Sequence, residues 1–229
     1  MRVAGVDEAG RGCVIGPLVI AAVLFEEETL QKLREIGVKD SKKLSPKKRE
    51  KLFEEIKKHA LDYRIFEIQP RVIDKVVFRS QPLRRLNYLE TMIMAKLIRE
   101  LEPDLVHMDT PDVDSQRCAQ QVQSVIKYPL EIICEPRADD KYTSTGAASI
   151  LAKVTRDQRI KELHEIHGDF NSGYASDIKT QKFIEEYFSH NKECPDYMRA
   201  SWATVQKHLK PFKQMKLAPE HDPSQMGLE

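Results

Sequence analysis

The chain has 229 residues, 41% of them hydrophobic, and a formal net charge of +1. That length and apolar content suit one domain of ordinary size with a real core and exclude a disordered chain. The near-neutral total gives no general sign of a polyanionic partner, yet the charge is unevenly spread: from Lys32 to Lys58 there are eleven Lys or Arg against five Asp or Glu, a local excess of positive charge. Cys13, Cys118, Cys134 and Cys194 form no C-x-x-C pair and no zinc spacing, so reduced thiols in a cytoplasmic protein are expected. No apolar run approaches the roughly 20 residues of a bilayer span, and the opening MRVAGVDEAG turns acidic too early for a signal peptide. A soluble, cytoplasmic protein that does not engage a membrane is expected, and nothing demands more than a monomer.

In chain order, residues 2–7 (RVAGVD) read as a short strand ending on an acid, followed by a turn at Gly10-Arg11-Gly12. The long apolar run 14–25 (VIGPLVIAAVLF) reads as a second strand with an irregular entry at Gly16-Pro17. Residues 26–36 predict a short helix and 40–44 a loop. Ser45-Pro46 opens a helix to about Ala60, with Pro46 at its first position and Leu52, Phe53 and Ile56 on one face. Residues 61–68 predict a third strand. Leu86, Leu89, Ile93, Leu97 and Leu101 recur at helical spacing, which predicts an amphipathic helix over 83–101 ended by Pro103. Residues 104–109 (DLVHMD) predict a fourth strand, 114–126 a helix and 130–135 (LEIICE) the last strand, with Asp139 and Asp140 in the loop after it. A helix from about Thr143 to His167 follows, capped by Gly168. The remainder predicts helices broken at Cys194-Pro195, and the last dozen residues a loose tail. Three early strands can pair antiparallel, and two later ones, each preceded by a helix, can pair in parallel. The expectation is a mixed five-stranded α/β sheet flanked by helices, with a C-terminal helical part.

The acids of interest stand where strands end: Asp7-Glu8, Asp109 and, just past the last strand, Asp139. Sites in open α/β sheets form at the carboxyl ends of strands. Carboxylates converging there repel one another and call for a divalent cation, and hard oxygen ligands favour Mg²⁺ or Mn²⁺. A pair of such ions about 4 Å apart suits in-line cleavage of a phosphodiester. Any one strand-end acid is more often a cap or a solvated loop residue, so position alone does not carry the case. A second difficulty is that strand neighbours point to opposite faces: Asp7 and Glu8 can share a site only if the strand breaks there, and Ala9-Gly10 offers such a break.

Six segments, in order, carry a family resemblance. Asp7-Glu8-Ala9-Gly10-Arg11-Gly12 resembles the D-E-A-G-[RK]-G motif of the ribonuclease HII family, and Asp40-Ser41-Lys42-Lys43-Leu44 resembles its D-S-K-x-L segment. Met108-Asp109 with Pro111-Asp112-Val113 is similar to the archaeal form of the strand bearing its third acid. Arg137-Ala138-Asp139-Asp140-Lys141-Tyr142 resembles [KR]-A-D-x-K-Y, Ala147 to Val154 resembles A-A-S-I-[IL]-A-K-V, and Gly173-Tyr174-Ala175-Ser176-Asp177 matches G-Y-x-S-D. The similarity spans residues 1 to about 209. It implies a ribonuclease H-like fold, with residues 1–168 as catalytic domain, 169–215 as a C-terminal helical substrate-binding part and 216–229 as tail. It implies an endonuclease that hydrolyses the RNA strand of RNA–DNA hybrids and cuts 5′ to ribonucleotides embedded in duplex DNA, leaving 5′-phosphate and 3′-hydroxyl, with roles in ribonucleotide removal and primer processing.

By the same resemblance Asp7, Glu8, Asp109 and Asp139 are the catalytic carboxylates that hold two divalent ions, Mg²⁺ or Mn²⁺. The A-D-x-K-Y frame picks Asp139, with adjacent Asp140 as the alternative. The turn Gly10, Arg11 and Gly12 maps where the family contacts the ribose 2′-hydroxyl through backbone, which glycine alone lets approach so closely. Tyr174 maps to the tyrosine that stacks on the sugar at the RNA–DNA junction. Lys42 and Lys43 fall where phosphate contacts belong, with Lys141 and Lys153 behind them. His164 and His167 have no visible partner ligands and read as surface residues. Trp202 reads as packing, and Arg199-Ala200-Ser201-Trp202 resembles a basic-aromatic segment near the family's C-terminus that leaves a DNA contact open. Residues 206–212 faintly resemble a sliding-clamp-binding peptide: Gln206, an aliphatic at +3 and Phe212 at +6 fit, but Lys213 stands where a second aromatic belongs. Two other readings stay open: a hybrid-binding module without catalysis, which four intact carboxylates do not favour, and another nuclease on the same fold, such as a junction resolvase, which Gly10–Gly12 with Tyr174 argues against.

Overall fold

The computed structural model describes residues 1–38, 44–79 and 86–216, with side chains as far as Leu209. Lys42, Lys43 and the tail from 217 lie outside the described residues. The elements are β1 (Arg2–Ala9), β2 (Leu18–Glu26), α1 (Glu27–Glu35), α2 (Pro46–His59), β3 (Asp62–Ile68), α3 (Pro70–Val77), α4 (Leu86–Leu101), β4 (Leu105–Asp109), α5 (Ser115–Val125), β5 (Glu131–Glu135), α6 (Ala138–Lys141), α7 (Thr143–His167), α8 (Ile178–His190) and α9 (Ala203–Lys216). The strands form one mixed sheet in the order β3-β2-β1-β4-β5. β2 is antiparallel to both β1 and β3, whereas β4 is parallel to both β1 and β5.

The long apolar run is explained by burial on both faces. In β2, Leu18, Ile20, Ala22 and Leu24 enter one core with Met94, Ile98, Val106 and Val122 beneath α4 and α5. The alternate residues Val19, Ala21, Val23 and Phe25 enter a second core with Leu33, Leu52, Ile56 and Leu151 beneath α1, α2 and α7. A strand covered on both sides loses its polar alternation. α7 lies close against β1 because Gly5 lets it: a Cβ there would stand 2.0 Å from the backbone of Ser144. That contact brings the first turns of α7 to the carboxyl end of the sheet.

Three expectations need correction. The second strand begins at Leu18, not at 14. Residues 13–16 instead leave the sheet: Cys13 bridges to Tyr174 and Ile15 to Met198, and Gly16 takes a φ of 88°. Val14 and Ile15 thereby seed a third core with Phe170, Ile184, Phe188 and Val205. Secondly, Asp139 and Asp140 lie on a short helix, α6, not in a loop. Arg137 turns the chain out of β5 in the left-handed region (φ 59°), and both acids then occupy the first helical turn, where the helix dipole favours them. Thirdly, α3 lies in a stretch for which the sequence predicts no element. Ser45 and Pro46 open α2 as expected, the serine side chain accepting from the Lys48 amide, and Gly168 ends α7. All four cysteines are free. No helix among the described residues is long and apolar enough to cross a membrane.

Candidate active site

The β1–β4 ladder runs from Val3–Leu105 to Val6–Met108, one residue short of Asp7 and Asp109. The carboxyl ends of two parallel strands therefore part where both acids stand, and side chains from either face of the sheet can approach that gap. β1 does not break after Asp7, as sharing a site seemed to require; it continues to Ala9. Asp7 pairs across to Ala21, on the α7 side of the sheet, and Glu8 to Ile20, on the α4 side. The two acids leave by opposite faces and meet electrostatically at the gap.

The electrostatics are those of a crowded set of anions. Asp7 is buried, and burial, then repulsion from Asp109 and more weakly from Asp139, pushes its pKa up to about 8 against opposing hydrogen bonds from Ser149 and the Glu8 amide. Glu8 is pushed well above the usual carboxylate range by burial first, then by Asp7, Glu90 and Asp109. Its Oε2 is buried without a hydrogen-bond partner. Asp109 Oδ1 accepts from the Ala138 amide at 3.2 Å, so the first amide of α6 ties the third acid to the helix carrying the fourth. On α6, Asp139 faces inward at 3% exposure, while Asp140 faces out to the Arg137 guanidinium at 2.8 Å. Among the described residues no three such side chains close into a ready coordination shell; Asp7, Glu8 and Asp109 repel one another at the strand ends, and Asp139 acts more weakly on Asp7.

Beside them lies a cavity of 420 Å³ lined by Glu8, Gly10, Gly12, Arg49, Lys153 and Tyr174. Of the four acids only Glu8 reaches this recess, where it joins the glycine turn and the tyrosine. Gly10 has a φ of 87°, and a Cβ on it would stand 2.8 Å from the Pro17 carbonyl oxygen. A Cβ on Gly12 would lie 3.6 Å from the Tyr174 ring, so the turn and the ring pack directly. The Arg156 guanidinium covers that ring at 4.9 Å. The Arg11 side chain points away to α4, where Nε donates to both oxygens of Glu90 (3.0 and 3.1 Å) and Nη2 to Asn87.

The chain belongs to the ribonuclease HII family. The family model for ribonuclease HII matches residues 4–205. Ribonuclease HII of Thermococcus sibiricus is 48% identical over 209 residues, covering 90% of this chain and 91% of that protein. The crystal structure of ribonuclease H2 from Pyrococcus horikoshii OT3 superposes with a TM-score of 0.85 at 41% identity, covering 93% of this chain and all of that one. Ribonuclease HII of Archaeoglobus fulgidus, solved in complex with PCNA, gives a TM-score of 0.80 at 39% identity over 88% of this chain and 95% of that one. Membership carries the activity: the chain is a ribonuclease H, an endonuclease with the ribonuclease H-like sheet.

Several residues in or near this recess have no counterpart in the sequence reading. Glu90 is fully buried, and burial pushes its pKa up to about 7 despite Arg11. Its signal was present: residue 90 falls on the apolar stripe of α4, four after Leu86. Arg49 lines the cavity, although the basic stretch reads mostly as a solvated face. Arg156 is 2% exposed. Of the lysines ranked behind Lys42 and Lys43, Lys153 donates to Asp157 at 2.9 Å beside the cavity, and Lys141 donates to Glu135 at 2.5 Å. His164 and His167, read as surface residues, are half-buried against Phe170 and Tyr197.

Proposed function

We propose that Asp7, Glu8, Asp109 and Asp139 hold two divalent ions, Mg²⁺ or Mn²⁺, and that the Gly10–Gly12 turn with Tyr174 reads the ribose beside the phosphate that is cut. Ribonucleases H depend on divalent metal, and the residues fit one. The observation that carries the reading is the buried, unpartnered Glu8 Oε2 within a group of acids whose burial, and then mutual repulsion, raise the Asp7 and Glu8 pKa values. All-oxygen donors of this kind suit a hard cation, which removes the repulsion. Bound there, the ions supply a more acidic attacking water and a charge to stabilise the leaving oxygen.

The chain's own groups do the rest. Asp7 and Asp109 approach from adjacent strand ends and Asp139 from α6, so three separate elements fix the carboxylates. Turnover requires these acids ionised, which the cation favours. The recess presents backbone at Gly10–Gly12 and an aromatic face at Tyr174 to the sugar, and Arg49 and Lys153 to phosphate. A ribose hydroxyl offers both a donor and an acceptor to such backbone, which deoxyribose lacks. The substrates are accordingly the RNA strand of RNA–DNA hybrids and single ribonucleotides in duplex DNA, cut on the 5′ side. The chain divides at 168/169, and the third core joins the helical part to Val14, Ile15 and Ile160 of the catalytic part.

A sliding clamp is a further partner in this proposal, met through residues 206–212. The Archaeoglobus relative is seen with PCNA. In this chain Gln206 donates to the Ala200 carbonyl and Leu209 packs on the third core, so docking through this segment requires the end of α9 to loosen. Equal retention by clamp of the protein and its Phe212→Ala variant ends that idea.

The deciding experiment is cleavage of a labelled DNA duplex containing one ribonucleotide, with Mg²⁺, with Mn²⁺ and with EDTA. A metal-dependent cut 5′ to the ribonucleotide is expected. Cleavage of long hybrids alone discards junction reading, and metal-independent cutting discards the carboxylate role.

A further inference from the structure

The basic-aromatic segment 199–202 is open to a DNA contact on sequence grounds, but the structure buries its arginine. Arg199 has no solvent exposure. Its guanidinium donates to three carbonyl oxygens: Nη2 to Gly10 at 2.7 Å, Nη1 to Arg11 at 2.8 Å, and Nε and Nη2 to Gly16 at 3.3 and 3.1 Å. The Trp202 ring lies against its face at 4.8 Å. Burial lowers its pKa to about 10, so it remains a cation at neutral pH. A desolvated guanidinium persists only where its planar fork meets several acceptors, and here two of the acceptors are the turn that faces the cavity.

The geometry of the peptide unit gives this clamp a consequence. Every peptide bond described here is trans, so the carbonyl of one residue and the amide N–H of the next point in opposite directions. Arg199 draws the Gly10 and Arg11 carbonyls inward. That turns the Arg11 and Gly12 amides outward, away from Arg199. The Arg11 side chain is meanwhile tied to Glu90 and Asn87, which leaves its backbone to face the recess. Arg199 is itself anchored. Its amide donates to the Val14 carbonyl at 2.9 Å, and Asp74 of α3 accepts from the Ala200 amide (2.9 Å), the Ser201 amide (2.8 Å) and the Ser201 hydroxyl (2.6 Å). A continuous set of bonds therefore runs from α3 through residues 199–201 to the turn.

We infer that Arg199 is a positioning residue for ribose recognition, which sets the direction of the Arg11 and Gly12 amides from behind the turn. The inference rests on the reading that this turn meets the ribose. A lysine keeps the charge but offers one point in place of a fork, so Arg199→Lys is the informative variant.

The test compares binding, in EDTA so that nothing is cut, of a fluorescent duplex carrying one ribonucleotide with the same duplex in all-DNA form. Circular dichroism confirms folding at the assay temperature. Arg199→Lys is expected to weaken binding of the ribonucleotide duplex about tenfold, the worth of a charge-assisted hydrogen bond, with all-DNA binding unchanged. A merely structural role moves both affinities together or neither, and either result overturns the inference. Gly12→Ala separates the two layers. If Gly12→Ala loses the preference and Arg199→Lys keeps it, the Arg199 role alone fails; if both keep it, the turn is not the reader and both fall. Should Arg199→Lys not fold, Asp74→Asn decides. It loosens residues 200–201 from the half-buried outer side, a smaller loss of preference is expected, and an unchanged preference overturns the inference.

Discussion

Two regions separated in sequence only by Ala9 are built on opposite principles. At Asp7 and Glu8 the polar groups are buried and in conflict: their pKa values are raised, and one carboxylate oxygen has no partner. At Gly10–Gly16 the inward-turned carbonyls are satisfied, taken up by Arg199 and by the Cys13 amide. Unsatisfied polarity is costly and disposes a site to take up what satisfies it, here cations. Satisfied polarity is rigid, and rigidity is what a backbone needs to discriminate a single hydroxyl. Chemistry and recognition are thus divided along one strand end, with the stored repulsion on one side and the preorganisation on the other.

The largest expected effect breaks the first region. Asp7→Asn keeps the size of the side chain but removes its charge, and turnover should fall on the order of 10³-fold or more while RNA–DNA hybrid is still bound. Steady-state cleavage with a parallel binding titration measures it, and undiminished turnover sinks the site assignment. Next comes Tyr174, on the recognition side. Burial, and then Cys13 beside its hydroxyl, pushes its pKa up to about 12, so the ring is what the recess presents. Tyr174→Ala should lower kcat/KM on a single embedded ribonucleotide by about 10- to 100-fold, the worth of one aromatic stack. Tyr174→Phe should stay within about threefold. Equal losses in the two variants contradict the ring's role.

Much of this division is legible in the sequence, and the exceptions have a common cause. The strands, α2, α4 and α7 announce themselves by local periodicity, and the four acids by their place at strand ends. The resemblance adds Gly10–Gly12 and Tyr174. What is not legible depends on partners distant in the chain. Arg199 reads as part of a basic-aromatic segment open to a DNA contact, and only the approach of residues 10–16 from the other end of the chain makes it a buried clamp. α3 is short, and its purpose, Asp74 against residues 200–201, lies more than a hundred residues away. Asp7 and Glu8 leave the continuous strand β1 by opposite faces, and only the end of the β1–β4 ladder at Val6–Met108, which involves a strand a hundred residues on, marks where both stand. Glu90 is the instructive case, a carboxylate at an apolar-stripe position, where a charged residue signals a buried partner.

The stored repulsion has a stability signature. In the folded, metal-free protein Asp7 keeps its proton up to about pH 8, whereas in the unfolded chain it loses it near the ordinary value of 3.8. Between those limits the folded state binds more protons, so stability falls as pH rises through the window. Each unit of pKa difference corresponds to about 1.4 kcal/mol at most, and Glu8 acts in the same direction. Urea midpoints of EDTA-treated protein should therefore drop from pH 5 to pH 8. Added Mn²⁺ should reverse the trend, because the cation binds the ionised acids. A midpoint that is flat or rising without metal contradicts the picture of conflicting anions.

The smallest effect tests whether recognition is truly separate from general attraction to phosphate. Lys153 lines the recess but is one-third exposed and paired with Asp157 at 2.9 Å, so its hold on a phosphate is that of a screened point charge. Lys153→Ala should weaken duplex binding only about threefold at physiological salt and reduce the slope of log affinity against log salt by about 1. The loss should be the same for the ribonucleotide duplex and the all-DNA duplex, since a phosphate is common to both. Titrations of both duplexes across salt concentrations give slope and preference together. A changed preference in Lys153→Ala places ribose discrimination partly in the cation and not in the fixed backbone, and the contrast between the satisfied turn and its charged surroundings then fails where it is most specific.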